Sequence, residues 1–116
     1  MKLYDSEMKL MKLLWQHEPV RAKELSLLAE RAIGWNKNTT YTVIKKLIEK
    51  GCIAREEPDF VCRSRISKEA VGKQETKGLI DRVFDGSKKA FFSALLEDED
   101  LTEDDLADLR RLIETR

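Results

Sequence analysis

The chain is 116 residues long, room for one ordinary domain or for a small domain with an appendage. Its 22 basic and 22 acidic side chains cancel, and two cysteines are too few for a disulfide-stapled secreted scaffold. No stretch approaches the roughly 18 apolar residues of a membrane span, and the opening residues lack the apolar core of a secretory leader, so membrane insertion is excluded and a cytoplasmic protein is expected.

The first predicted helix starts at Asp5-Ser6, taken as its cap, and runs to about Gln16. Met8, Met11 and Trp15 share one face, widened by Leu10, Leu13 and Leu14, while Lys9, Lys12 and Gln16 form a polar stripe. A helix apolar over most of its circumference must pack against more than one neighbour, which marks it as a scaffold. After a short extended stretch at Val20-Arg21, a second helix is expected from about Ala22 to Ala32, burying Leu25, Leu28 and Ala29 and stopped by Gly34.

A third helix is expected from about Lys37 to Lys50, with Asn36 as its N-cap and Gly51 as its C′ stop. Stepping about 100° per residue from Ile44 gathers Thr40, Leu47 and Ile48 on the buried face. The opposite face carries Asn38, Thr39, Thr42, Lys46, Glu49 and Lys50, with Lys45 on its shoulder. Thr and Asn are poor helix formers, so a merely solvated face would favour Glu, Lys or Ala. Short hydroxyls and an amide followed by lysines suit a helix entering a major groove: Asn bridges adenine, Thr touches thymine, and Lys reaches guanine or phosphate. The expected DNA contacts are therefore Asn36, Lys37, Asn38, Thr39, Thr42, Lys45 and Lys46.

Cys52–Glu56 and Phe60–Ile66 read as two strands around the turn Glu57-Pro58-Asp59. Three helices and a hairpin give the order of a winged helix-turn-helix. Arg55, Arg63 and Arg65 on the hairpin are candidate phosphate contacts, in competition with the carboxylates of its acidic tip. That tip is expected to stand off the DNA, since a minor groove repels negative charge. Cys52 and Cys62 are small buried residues on half-buried strands, or else a redox pair facing each other across the hairpin.

From Ser67 the character changes. Residues 1–78 hold 16 basic and 11 acidic side chains, whereas residues 79–116 hold 6 and 11. A basic front and an acidic tail suit a nucleic-acid reader with a separate association segment, although a chain this rich in charge also fluctuates by several units by chance. A helix from about Ser67 to Asp85 carries Leu79, Ile80, Val83 and Phe84 and stops at Gly86. Another, from about Ser87 to Leu96, carries Phe91, Phe92, Leu95 and Leu96. After the acidic run Glu97–Asp100, Thr102 and Asp105 form a capping box for a last helix bearing Leu106, Leu109, Leu112 and Ile113. These short helices cannot close a core alone, and pairing with a second copy is the favoured way to cover them. The fold class is thus mostly α with a small β-hairpin: a winged helix-turn-helix domain over residues 1–70 and a helical dimerisation segment over residues 71–116.

Catalysis finds no support. His17 is the single histidine, with no nucleophile arrangement beside it, no Gly-rich phosphate loop and no zinc-ligand spacing. Neither an enzyme activity nor a cofactor or metal is expected.

The ordered set of motifs resembles one family. It comprises Asp5-Ser6-Glu7 with Met11 and Leu14-Trp15, Ala22-Lys23-Glu24-Leu25, Trp35-Asn36-Lys37-Asn38-Thr39-Thr40 through Leu47 to Lys50-Gly51, and Phe60-Val61-Cys62 with Ile66-Ser67. The corner Phe84-Asp85-Gly86-Ser87 and the stretch Leu101-Thr102-Glu103 with Leu109 complete it. Across essentially the whole chain this is similar to the BlaI/MecI/CopY (penicillinase repressor) family of bacterial repressors. The resemblance implies a homodimer that binds a dyad-symmetric double-stranded operator through two winged helices and blocks transcription. In the penicillinase branch an upstream sensor-protease signal leads to cleavage of an Asn-Phe bond, where this chain has Ala94-Leu95. In the copper branch a Cys-rich tail binds metal, whereas no cysteine follows Cys62 here. Two other readings stand beside the repressor: a winged-helix protein-interaction module, and a non-specific architectural DNA binder.

Overall fold

A computed structural model describes residues 2–116, and the chain divides into two compact units, Met1–Glu75 and Thr76–Arg116. The first holds helices α1 (Asp5–His17), α2 (Ala22–Ile33) and α3 (Lys37–Glu49), strands β1 (Val20–Arg21), β2 (Ile53–Glu56) and β3 (Val61–Ser64), and the start of α4 (Lys68–Val83). The second holds the end of α4, then α5 (Lys88–Leu96) and α6 (Glu103–Glu114).

Leu10, Met11 and Leu14 bring α1 into the core, with Leu3 just before the helix, beside Leu25 of α2, Val43, Ile44 and Leu47 of α3, and Ile53 of β2. Burying each of the fully enclosed leucines and isoleucines contributes about 1.5–3 kcal/mol against the entropy of ordering the chain. The expected α1 face is rotated slightly, since Met8 and Trp15 only flank the core, half-buried. Trp15 Nε1 donates to the Ile66 carbonyl at 3.0 Å, which ties the scaffold helix to the chain leaving the sheet. In α2, Leu28 is only half-buried and Ser26 is buried in its stead, donating to the Lys23 carbonyl at 2.7 Å.

Asp5 and Ser6 do not cap α1. Tyr4 is the N-cap, and the Glu7 carboxylate reaches back to accept its amide at 2.8 Å, one half of a capping box. Asn36 does cap α3, its Oδ1 accepting from the Thr39 amide at 2.8 Å. Gly51, with φ of 78°, takes the left-handed stop after α3 that a side chain would strain.

The extended stretch Val20-Arg21 is a strand of a three-stranded antiparallel sheet, in which β3 lies between β1 and β2. The register places Cys62 opposite Arg55 on one side and Val20 on the other, while Cys52 lies beyond the end of β2. The two thiols therefore do not face each other, and no disulfide joins them. Burial pushes the Cys62 thiol up to about 11, against a smaller opposing effect of the Arg55 charge.

In the second unit, Ser87 caps α5 by accepting from the Ala90 amide, and Thr102 and Asp105 form the expected capping box of α6. Among the residues expected to pair with a second copy, Ile80 is buried and Phe84, Phe91, Leu95 and Leu109 are half-buried. Leu79, Val83, Phe92, Leu106, Leu112 and Ile113 are exposed, as is Leu96. No helix among the described residues is long and apolar enough to cross a membrane.

Candidate nucleic-acid interface

The back of α3 is locked into the core by Thr40, Val43, Ile44 and Leu47, each 6% exposed or less, so the opposite face must point outward. Thr40 is the one polar residue in that row, and its hydroxyl donates to the Asn36 carbonyl at 3.3 Å. Val43 takes the buried place expected for Ile48, which is only half-buried.

On the outer face a shallow cleft is lined by Ser6, Trp35, Asn38, Thr39, Thr42 and Lys46, with Asn36 and Val43 completing it. Among the described residues Lys46 is its only charged lining residue. The Thr42 hydroxyl donates to the Asn38 carbonyl at 2.9 Å, which fixes its rotor and leaves the oxygen and the γ-methyl facing out. The arrangement offers amide, hydroxyl and methyl groups at the helix N-terminal end and an ammonium one turn later, the functional groups that read base edges and hold phosphate.

Asn36 spends its Oδ1 on the cap, keeping its amide nitrogen for a ligand. Lys45 is exposed on α3 outside the cleft. Lys50, placed on the outer face by periodicity, turns inward instead. Its ammonium pairs with Glu7 at 2.7 Å, donates to the Lys2 carbonyl at 3.0 Å and sits 4.6 Å from the centre of the Tyr4 ring. Burial pushes the Glu7 carboxyl up, but the Lys50 and Tyr4 hydrogen bonds with the charges of Lys50 and Lys46 outweigh it. The carboxyl rests below its ordinary value.

A ladder of rings and cations joins α3 to the hairpin. Lys37 lies over the Tyr41 ring at 5.7 Å, Tyr41 meets Phe60 edge-on at 5.9 Å, and the Arg55 guanidinium lies 3.7 Å from the Phe60 centroid. Phe60 adopts φ of 51°, a region that costs a non-glycine residue about 1–2 kcal/mol, and the ring it places there holds helix and wing together. Sequence reasoning missed Ser6, Trp35, Tyr41 and Phe60 at this surface. The aromatic residue closing the turn before β3 was the available signal.

The wing arginines are engaged by their own hairpin. Arg55 pairs with Glu57 and Arg63 with Glu56, both on exposed side chains, whereas Arg65 is exposed on the chain just after β3. Elsewhere, His17 Nδ1 lies 2.9 Å from the Leu13 carbonyl, and among the described residues no group of three or more His, Cys, Asp and Glu side chains is placed to hold a metal ion.

A family profile described as penicillinase repressor matches residues 3–115. The penicillinase repressor of Bacillus licheniformis is 22% identical over 115 residues, covering 97% of this chain and 90% of that protein. The methicillin resistance regulatory protein MecI of Staphylococcus aureus (strain N315) is 23% identical over 114 residues, covering 97% and 93%. Among solved structures, the DNA-binding domain of the repressor BlaI matches 60% of this chain and 87% of its own length, with a TM-score of 0.55 at 24% identity. The monomeric form of Bacillus licheniformis BlaI in complex with the blaP half-operator matches 60% and 88%, with a TM-score of 0.52 at 25% identity.

Proposed function

This chain belongs to the penicillinase repressor family, and from that premise we propose that it represses transcription by binding a specific duplex operator through the outer face of α3. The observation that carries the reading is the cleft of Asn38, Thr39, Thr42 and Lys46 on a helix whose opposite side is fixed in the core. A relative of the same fold in complex with a half-operator supports it. Asn36, Asn38, Thr39 and Thr42 read base edges, while Lys37, Lys45 and Lys46 hold phosphates beside them. Arg55, Arg63 and Arg65 flank the site from the wing, the first two after exchanging their carboxylate partners for phosphate.

Residues 1–70 act as the reading head and residues 71–116 as the pairing segment. The exposed Phe92, Leu96, Leu106, Leu112 and Ile113 are more apolar surface than a short helical segment leaves open without a partner, and a second copy of the same segment covers them. A two-fold pair of reading heads calls for a dyad-symmetric operator. The protein works in the cytoplasm, where its DNA is, and we assign it no catalytic role.

Footprinting on DNA upstream of the chain's own gene tests the proposal. Protection of a two-fold-symmetric site that survives roughly a thousandfold excess of random competitor is expected. No protection even at low salt sinks the DNA reading in favour of a protein-interaction module, and uniform protection marks a non-specific binder.

A further inference from the structure

We propose that Ser6, on the first turn of α1, is part of the DNA interface and donates a hydrogen bond to a backbone phosphate of the duplex read by α3, an inference that rests on the DNA-binding reading above. Ser6 is exposed and lines the same cleft as Thr39, Thr42 and Lys46, although it belongs to a different helix. Its neighbour Glu7 is 2% exposed and is fastened to Lys50 beyond the end of α3, so this turn of α1 is held in place against the reading helix. Among the described residues the Ser6 hydroxyl has no hydrogen-bond partner, so its donor is available to a ligand.

Position decides what it meets. A helix lying in a major groove is flanked on both sides by sugar-phosphate strands, so a side chain on a neighbouring helix that forms the wall of the cleft reaches backbone rather than base edges. The charge fits as well. Among the described residues Lys46 is the only charged one lining the cleft, and the Glu7 carboxylate next to Ser6 is turned inward and neutralised by Lys50. A serine hydroxyl beside one ammonium suits a phosphate oxygen, and the contact adds affinity without sequence preference.

The test uses the full chain and a duplex it selects from a random library, with a scrambled duplex alongside. Ser6→Ala is expected to weaken both about fivefold, the loss of one hydrogen bond. Ser6→Glu is expected to weaken both at least about tenfold, because a carboxylate then faces phosphate. Ser6→Thr, which keeps the donor, binds like the parent. An acidic residue in the first turn of a helix favours folding, so Ser6→Glu melts no lower than the parent, and its binding loss cannot come from unfolding. Binding of Ser6→Glu within twofold of the parent overturns the inference, as does a loss confined to the selected duplex. A parent chain that binds no duplex overturns the DNA reading itself, whereas losses for Lys46→Ala with none for Ser6→Glu overturn the Ser6 contact alone.

Discussion

Glu7 and Lys50 form a 2.7 Å ion pair between the first turn of α1 and the residue that ends α3, with the carboxylate side chain only 3% exposed. The pair fixes where the reading helix ends relative to its scaffold. Because the Glu7 carboxyl rests below its ordinary value, its ionisation stabilises the fold. That contribution is full above the unfolded value of about 4.3 and fades as pH falls through the lower folded value. Lys50→Met strands the buried carboxylate and is expected to cost roughly 2–3 kcal/mol at pH 7. Glu7→Gln costs less at neutral pH, and its deficit shrinks below about pH 4, where the parent loses the same ionisation. Thermal melts of the three proteins at both pH values check this, and a deficit for Glu7→Gln that grows in acid refutes it.

Thr42 and Lys46 lie one turn apart on the same face, and the proposed function gives them different roles. Thr42→Ala is expected to lower preference for the selected site over single-base variants by about 1 kcal/mol while leaving binding to random DNA unchanged. Lys46→Ala is expected to weaken all sequences alike and to reduce the slope of log affinity against log salt by roughly one. Anisotropy titrations over a salt series separate the two, and equal effects on both duplexes from both variants would show that the bases are read elsewhere.

Glu56 holds Arg63, and Glu57 holds Arg55, in exposed pairs that are individually weak. Replacing Glu56 with Gln releases a cation on the wing. The expected result is binding to random duplex several-fold tighter at low salt, with a slope steeper by roughly one and a smaller preference for the specific site. An unchanged slope would place Arg63 out of reach of phosphate.

Leu112 is 67% exposed, so a charge there does little to the fold of a single chain. Leu112→Asp is therefore expected to leave the melting of the first unit intact while shifting sedimentation from dimer to monomer, with operator affinity falling in step. A dimer of unchanged strength would move the pairing surface away from α6.

Local chemistry was legible in the sequence, and long-range geometry was not. Asn36 bounds α3 through its side-chain acceptor and Gly51 through its ease at positive φ, and Thr102 with Asp105 starts α6, all signals carried by residues within a turn of one another. Helical periodicity puts Lys50 on the outer face because it describes where a Cβ points, not where a long stem carries its ammonium. The cap of α1 differs from expectation for a related reason: Glu7, not Asp5 or Ser6, satisfies the Tyr4 amide. Tyr41 against Phe60 and Val20 against Cys62 are contacts between segments far apart in sequence, which no local pattern specifies. Ser6 has the chemistry of a cap, and nothing in the local pattern marks it as a surface beside α3.

The two tryptophans of the chain occupy different stations. Both pack half-buried against the core, Trp15 with its indole nitrogen bonded to the Ile66 carbonyl, but Trp35 also lines the cleft in front of α3. The molecule thus carries two intrinsic fluorophores with separate loyalties. Replacing Trp35 with Phe is expected to leave an emission that follows denaturation alone, and replacing Trp15 with Phe one that also changes if DNA fills the cleft, as proposed. Folding and occupancy can be followed optically on the same unlabelled polypeptide.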